Sequence, residues 1–277
     1  MEHIQYPKTE HIPFSKTTDL NSSFRNNEPL LILNNTIQNI IDNDEPIIVV
    51  EEKMDGSGVG FWFEGEDIFI QQRGHTYSIN NCPTHLYELV SYLKQNEEEL
   101  YVLLENRYAM FGEWLYYKHT IFYDNLPSYF LEYDIYDKKQ SRFLNTNERQ
   151  IFLKNTNINS VKVIDTLKSL HTKDLVSLIN KYPSSIFKTE YIKENFDNLL
   201  KYSLVKEKVM DTTLLDSSYE GFYIKIESKA GVDSRHKWIR KSFIEKILSS
   251  EHWKKSPLIT NTLENSLISK KKTNSIK

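Results

Sequence analysis

Between residues 46 and 73 the apolar positions come in short runs of strand length. Pro46–Glu52, Val59–Phe63 and Ile68–Gln72 are three such runs. They are rich in the β-branched and aromatic residues that suit a pleated surface. Glu64-Gly65-Glu66-Asp67 separates the last two and supplies a turn. The period then changes. Leu86, Leu89, Val90 and Leu93 recur at helical spacing and predict a helix over 84–104, with Thr84 as its N-cap. Residues 107–117 and 128–137 read as strands again, with Asp124-Asn125-Leu126-Pro127 as the turn between them. From 140 to 215 glycine disappears, Lys, Asn and Leu accumulate, and Leu175-Val176-Leu178-Ile179 shows helical spacing. This stretch predicts a helical insertion rather than an independent domain. Strands return at 219–228 and 235–240, and Ser242–Ser250 suits a closing helix. Residues 1–45 read as an N-terminal flank packed on the domain 46–253. Residues 254–277, with Lys270-Lys271-Lys272, read as a frayed tail.

Composition narrows the class. The chain has 277 residues, 39% apolar and 26% charged, which fits a globular protein. Its formal net charge of -3 excludes nucleic-acid binding by bulk positive charge, so any such surface is a local patch. The single cysteine, Cys82, rules out an internal disulfide and points to a reducing, cytoplasmic setting. No apolar run reaches the length of a membrane span, and Met1–Tyr6 lacks the pattern of a signal peptide.

Lys53-Met54-Asp55-Gly56 is the chemically richest stretch, because it places a lysine where a strand breaks into a glycine-bearing turn. A free lysine has a pKa of about 10.4 and is not nucleophilic at neutral pH. Nearby cations favour its neutral form, and Arg73, Lys225, Lys237 and a bound metal ion are the expected neighbours. Neutral Lys53 can attack the α-phosphorus of a nucleoside triphosphate and expel pyrophosphate. Gly56, Gly58 and Gly60 allow close backbone approach to a ligand, or mark a bulged strand. Asp55 fits two roles, fixing the turn or orienting Lys53. Arg73 can hold a ribose hydroxyl or a phosphate with its planar fork. Glu113 and Glu220, on different strands, suit Mg²⁺, which takes few carboxylates and keeps several waters. Tyr133 suits stacking on a base or burial in a core. Alternation sends Glu220 and Lys225 to opposite faces of one strand. Arg235-His236-Lys237-Trp238-Ile239-Arg240 is a basic cluster able to hold a triphosphate or meet a nucleic-acid backbone.

In this order the motifs resemble those of the ATP-dependent RNA ligases, a family of covalent lysyl-nucleotidyltransferases. Lys-x-Asp-Gly matches Lys53–Gly56, and Gly112-Glu113 matches the third motif. Tyr133-Asp134 matches the aromatic-Asp motif that follows, and Glu220–Lys225 matches Glu-Gly-x-x-x-Lys. Lys237 matches the basic fifth motif. Gly112–His119 followed by Tyr123–Pro127 is closer to RNA ligases than to DNA ligases or capping enzymes. The resemblance implies an α+β fold: an ATP-grasp-like nucleotidyltransferase domain of antiparallel sheets with flanking helices and a helical insertion at about 140–215. It implies no OB-fold, since fewer than 40 residues follow Arg240. It further implies ATP and Mg²⁺ or Mn²⁺ as cofactors. The implied substrate is RNA with 5′-phosphate and 3′-hydroxyl ends. Lys53 is then the adenylated nucleophile, with Glu52, Asp55 and Gly56 beside it and Glu52 on the adenine side. Arg73 holds ribose or phosphate, Glu113 binds ribose or metal, and Tyr133 stacks on adenine. Glu220 binds metal, and Lys225 and Lys237 contact phosphates.

Two other readings fit the same residues: an ATP-dependent DNA ligase or repair relative, and a non-catalytic nucleic-acid-binding protein on the same fold. Nicked DNA against RNA ends separates the first from an RNA ligase. RNA binding without adenylation identifies the second.

Overall fold

The computed structural model describes residues 4, 6–12, 46–171, 174–175, 177–178, 206–214, 219–250 and 257–264. Two sheets face one another. The five-stranded sheet runs β1-β12-β11-β2-β10, from β1 (Glu10–His11), β2 (Ile47–Lys53), β10 (Val163–Leu167), β11 (Gly221–Ser228) and β12 (Gly231–Ile239). The seven-stranded sheet runs β5-β4-β3-β6-β7-β8, with β9 also paired to β7. Its strands are β3 (Ser57–Glu64), β4 (Asp67–Gln72), β5 (His75–Ser78), β6 (Tyr108–Trp114), β7 (Phe130–Asp137), β8 (Arg142–Phe143) and β9 (Asn159–Ser160).

Strand alternation assigns each side chain to a layer. On β2 and β11, Ile48, Val50, Phe222, Ile224 and Ile226 turn to the outer face of the smaller sheet and pack with Trp238, Leu175 and Leu178. Their neighbours Glu51, Tyr223 and Lys225 turn inward toward the larger sheet. The outer face of the larger sheet is covered by α1 (Tyr87–Gln95) and α2 (Glu97–Leu104), whose Leu89, Leu93, Leu100 and Leu104 bury against Phe61, Phe63 and Met110. The single helix expected over 84–104 is two helices behind a 3₁₀ turn at Thr84–Leu86. It breaks at Asn96, whose side-chain amide donates to the Tyr92 carbonyl at 2.7 Å. Thr84 is not a cap; Pro83 takes that position without a side-chain bond.

The helical insertion expected from 140 is corrected for its first part. β8 and β9 join β7, and β10 pairs with β2 as the edge of the smaller sheet. The apolar residues there, Phe143, Val161 and Ile164, enter two different cores, so their spacing follows no single period. Between them, α3 (Thr146–Leu153) starts with a capping box from Asn145 and Glu148. The short helix α4 (Lys206–Asp211) follows; most of 172–205 lies outside the described residues. α5 (Lys241–Ser249) closes the order and buries Phe243.

The tail expected to fray from 254 is also corrected. Residues 257–264 dock along 115–126, with bridges at Tyr117–Thr260 and Leu126–Leu263. The buried Asn261 side chain donates to the Leu115 carbonyl at 2.7 Å and accepts from the Tyr123 N–H at 2.9 Å. Two buried backbone groups would otherwise lack partners, which is why this polar residue holds an irregular segment in place. Within the expected flank, residues 10–11 add a parallel strand to β12; residues 13–45 lie outside the described residues.

Candidate active site

Lys53 is the last residue of β2, directly opposite Gly221 of β11. Its Nζ donates to Glu220 Oε2 at 2.8 Å and lies 5.3 Å from the centre of the Tyr223 ring. Burial pulls the Lys53 pKa down, but the carboxylates of Glu220 and Glu113 outweigh it and hold the ammonium well above its ordinary value. This corrects the expected electrostatics. The groups that set the protonation of Lys53 are acids, not Arg73, Lys225 or Lys237.

Gly56 brings the third partner in. A Cβ there would sit 2.7 Å from the Trp114 carbonyl and 2.9 Å from Glu113 Cγ, so only glycine lets this turn lie on the end of β6. The Gly56 N–H bonds the Glu113 carboxylate. Burial, with the nearby Glu220 and Asp55 charges, raises Glu113 to about 8 against the pull of Lys53. Burial likewise raises Glu220 to about 7, its ion pair with Lys53 pulling the other way. Lys53 is the main cation acting on both acids, with Lys237 adding a weaker pull on Glu220. Two acidic side chains beside one ammonium are the kind of oxygen donors that a hard divalent cation takes, although among the described residues no group of three or more such side chains converges on one point.

Asp55 takes the loop-fixing role. Its Oδ2 accepts from the Thr120 and Ile121 N–H groups, both at 2.7 Å, and its own N–H donates to the Tyr123 hydroxyl at 2.8 Å. The lysine turn is thereby tied to the 119–123 segment.

A pocket of about 630 Å³ opens beside these groups, within the size range of small-molecule sites. Gly56, Gly58, Gly60 and Tyr133 line it, as do Tyr223 and Lys237, with Arg73 exposed at its rim. Lys53, Glu113 and Glu220 lie behind its wall: Lys53 next to Tyr223, Glu113 next to Gly56, and Glu220 on Lys53. Tyr133 packs directly against Tyr223 in its wall, ring centres 5.9 Å apart. A β-bulge makes this possible: β6 pairs Phe111 with Asp134 and Gly112 with Glu132, leaving Tyr133 as the extra residue. Tyr133 and Asp134 therefore both point between the sheets, which strict alternation forbids.

Two expected contacts fall elsewhere. Glu52 has the parity of Ile48 and Val50 and turns away from Lys53, so its side chain does not line the pocket. Lys225 points between the sheets but reaches no pocket wall. Its Nζ lies 2.8 Å from Glu51 and 3.2 Å from Asp134. It is one link in a buried chain of alternating charge. Arg149 binds Glu132 with two bonds, at 2.7 and 2.9 Å, and Glu51 at 2.8 Å. At the other end Arg235 donates to Asp134 at 2.9 Å, and the Tyr6 hydroxyl donates to the same carboxylate. Sequence reasoning missed Glu51, Glu132, Arg149 and Tyr6. Glu51 and Glu132 carried the only available signal, a charge at a position expected to be interior.

The RNA ligase family model matches residues 46–239, and the chain belongs to that family. Among solved structures the fold is similar to the RNA ligase of Naegleria gruberi. An apo point variant of that enzyme aligns with a TM-score of 0.53 at 16% identity, covering 88% of this chain and 58% of the other. A second variant, with ATP and Mn, aligns with a TM-score of 0.52 at 17% identity, covering 89% and 59%. The chain therefore spans less than two thirds of the length of those ligases. No curated protein sequence matches it.

Proposed function

We propose that this protein is an ATP-dependent RNA ligase joining a 5′-phosphate to a 3′-hydroxyl. One observation carries the proposal: a strand-end lysine, paired with one of two buried carboxylates, adjoins a ligand-sized pocket. Membership of the RNA ligase family supports it. The Naegleria gruberi ligase structure with ATP and Mn, of the same fold, supports nucleotide and divalent metal as cofactors. Tyr133, in the pocket wall beside Tyr223, is the ring for adenine to lie against, Arg73 and Lys237 reach the ribose and phosphates, and Gly56–Gly60 lets the ligand lie close to backbone. Glu220 and Glu113 would hold Mg²⁺ or Mn²⁺, which supplies the charge that a triphosphate and two carboxylates need.

The lysine chemistry follows from the ion pair. While Glu220 accepts from Nζ the amine stays protonated. A divalent cation held by Glu220 and Glu113 would supply charge that weakens their hold on the ammonium; Nζ, its proton passed to water, would then be the amine that attacks the α-phosphorus. A P–N bond forms, the bond to pyrophosphate breaks, and pyrophosphate leaves. A 5′-phosphate oxygen of RNA then displaces the lysine from AMP, and a 3′-hydroxyl oxygen displaces AMP from the activated end. A free Cys82 fits a cytoplasmic setting. No helix among the described residues is long and apolar enough to cross a membrane.

The test is incubation with α-labelled ATP and Mg²⁺ or Mn²⁺, then with 5′-phosphorylated RNA. Label should attach to the protein and pass to RNA, and Lys53→Ala should carry none. Equal labelling of that variant would misassign the nucleophile, and preference for all-DNA ends would overturn the substrate class.

A further inference from the structure

The pocket beside the lysine turn has two halves, and strand alternation separates them. Gly60 pairs with Gln71, and a Cβ on Gly60 would meet the Phe111 ring, so these positions face the smaller sheet. Tyr133, Tyr223 and Lys237 complete that inner half. Val59 and Gln72 also pair, and they face the other way. Val59 and Ile70 belong to the core under α1 and α2, and Gln72 lies two residues beyond Ile70. His75, opposite Gln72, and Tyr77, opposite Ile70, share that face. Residues of both sets line the one pocket. It therefore wraps around the open end of the β3–β4 pair, with the Arg73-Gly74 turn between its inner and outer halves.

The outer half gathers nitrogen donors. His75, His85 and His119 line it, with Arg73 at its rim. His85 Nε2 lies 2.8 Å from Gln72 Oε1, and His119 Nε2 lies 3.4 Å from Ser57 Oγ. The backbone at His119 is anchored: the Lys118 ammonium donates to the His119 carbonyl at 2.8 Å, and the Thr120 N–H donates to Asp55 at 2.7 Å. Asp55 belongs to the lysine turn, so His119 is held in fixed relation to Lys53. No acidic side chain among the described residues lines either half, in a chain whose formal net charge is -3.

Arg73 supplies an independent sign. Its φ is +55°, in the left-handed region that favours glycine, although Gly74 stands beside it. Its side chain is exposed and makes no hydrogen bond or ion pair among the described residues. Backbone strain of this kind collects at functional sites, and no protein contact accounts for an arginine here.

We propose that the outer half seats the terminal 5′-phosphate of the RNA strand that receives AMP; the proposal rests on the ligase reading above. The donor set selects a phosphate monoester. Imidazole carries an N–H donor in either charge state, and guanidinium carries five. A terminal phosphate brings nearly two negative charges and three free oxygens for them, whereas an internal diester exposes two such oxygens. A metal ion is the competing occupant of grouped imidazoles, but these three form no metal-binding group. The place fits the reaction. Ser57 and the Arg73 turn lie at the end of β3 that continues from the lysine turn, so a phosphate held there is next to the AMP that Lys53 would carry.

The test is equilibrium binding, without ATP, of two RNA strands identical except that one ends in a 5′-phosphate and the other in a 5′-hydroxyl. The parent protein should bind the phosphorylated strand at least about tenfold more tightly. His75→Ala combined with His85→Ala, both at exposed positions, should cut that preference to about twofold without weakening the hydroxyl strand. The same double variant should keep the parent's KM for ATP in self-labelling. Arg73→Gly should lose the preference too, with a melting temperature at or above the parent's, because glycine accepts the left-handed backbone freely. Equal binding of the two strands by the parent overturns the proposal, as does a preference kept by the histidine variant. A raised KM for ATP in that variant overturns it as well, since the outer half would then serve the cofactor. A lower melting temperature for Arg73→Gly would make the arginine a structural part of the turn and remove it from the site. Failure of the parent protein to self-label would instead overturn the ligase reading, and with it the role of this site in AMP transfer, even where the binding preference holds.

Discussion

Lys53, Glu220 and Glu113 show how a buried lysine is kept protonated, a resting state for the nucleophile proposed above. The lysine is held as ammonium by a carboxylate at 2.8 Å, while burial keeps the second acid at about 8. The sign of the resulting pH dependence follows. Glu113 has a folded pKa above its ordinary value of about 4.3. Without a cation, its contribution to stability is complete below that value and declines as pH rises toward about 8. A cation binding there must displace its proton. The apparent Mg²⁺ or Mn²⁺ affinity in the labelling reaction should therefore rise with pH up to about 8, by about tenfold per pH unit where one proton is released. Glu113→Gln should flatten this dependence, and metal titrations of labelling at several pH values will check it. An affinity independent of pH would mean that Glu113 is ionised before the metal arrives.

At the scale of elements, the lysine turn is positioned by what its glycines allow. A Cβ on Gly56 would collide with Leu115, the Trp114 carbonyl and Glu113. Gly56→Ala should therefore push the turn off β6, separate Lys53 from Glu113, and cut ATP labelling by at least about tenfold. Gly65 provides the contrast. It has φ of +64° in the β3–β4 turn and open space around it, so Gly65→Ala carries only a backbone cost of about 1–2 kcal/mol. It should lower the melting temperature slightly and leave labelling intact. The same losses in both variants would show that labelling follows general stability, not the turn. The strands on either side of this turn were readable from the chain because alternation and turn residues are local signals: β2, β3, β4, β6, β7 and β11 lie within a few residues of their expected places. β5, β8, β9 and β10 were not readable. They are short or packed between two cores, so no periodic stripe marks them.

At the scale of the molecule, the two sheets are joined by charge as well as by apolar packing. Glu132, Arg149, Glu51, Lys225, Asp134 and Arg235 alternate in sign, are buried, and balance to zero. Burial alone would raise Asp134, but Lys225 and Arg235 hold it well below the ordinary carboxylate range. Its stabilisation is thus present above about pH 4, the unfolded value, and is lost as pH falls below it. Asp134→Asn leaves two buried cations undercompensated and should cost about 3–5 kcal/mol. Denaturant titration at neutral pH will measure that loss, and the variant should show a shallower decline of stability in acid than the parent. A loss below about 1 kcal/mol, the size expected of an exposed pair, would mean that water reaches this chain.

The one-dimensional chain was sufficient for the family resemblance, for most of the long strands, and for the sequence positions of Lys53, Glu113, Tyr133 and Glu220, because those features reside in local order and spacing. Tertiary structure decided which charges meet. It placed Lys225 and Asp134 in a buried ion chain, turned Glu52 to the outer face of its sheet, and bent β7 so that Tyr133 and Asp134 share a side. The physical reason is that burial and Coulomb interaction depend on distance in space. Strand pairing brings together residues more than 150 positions apart, such as Lys53 and Glu220, and no local pattern encodes that encounter.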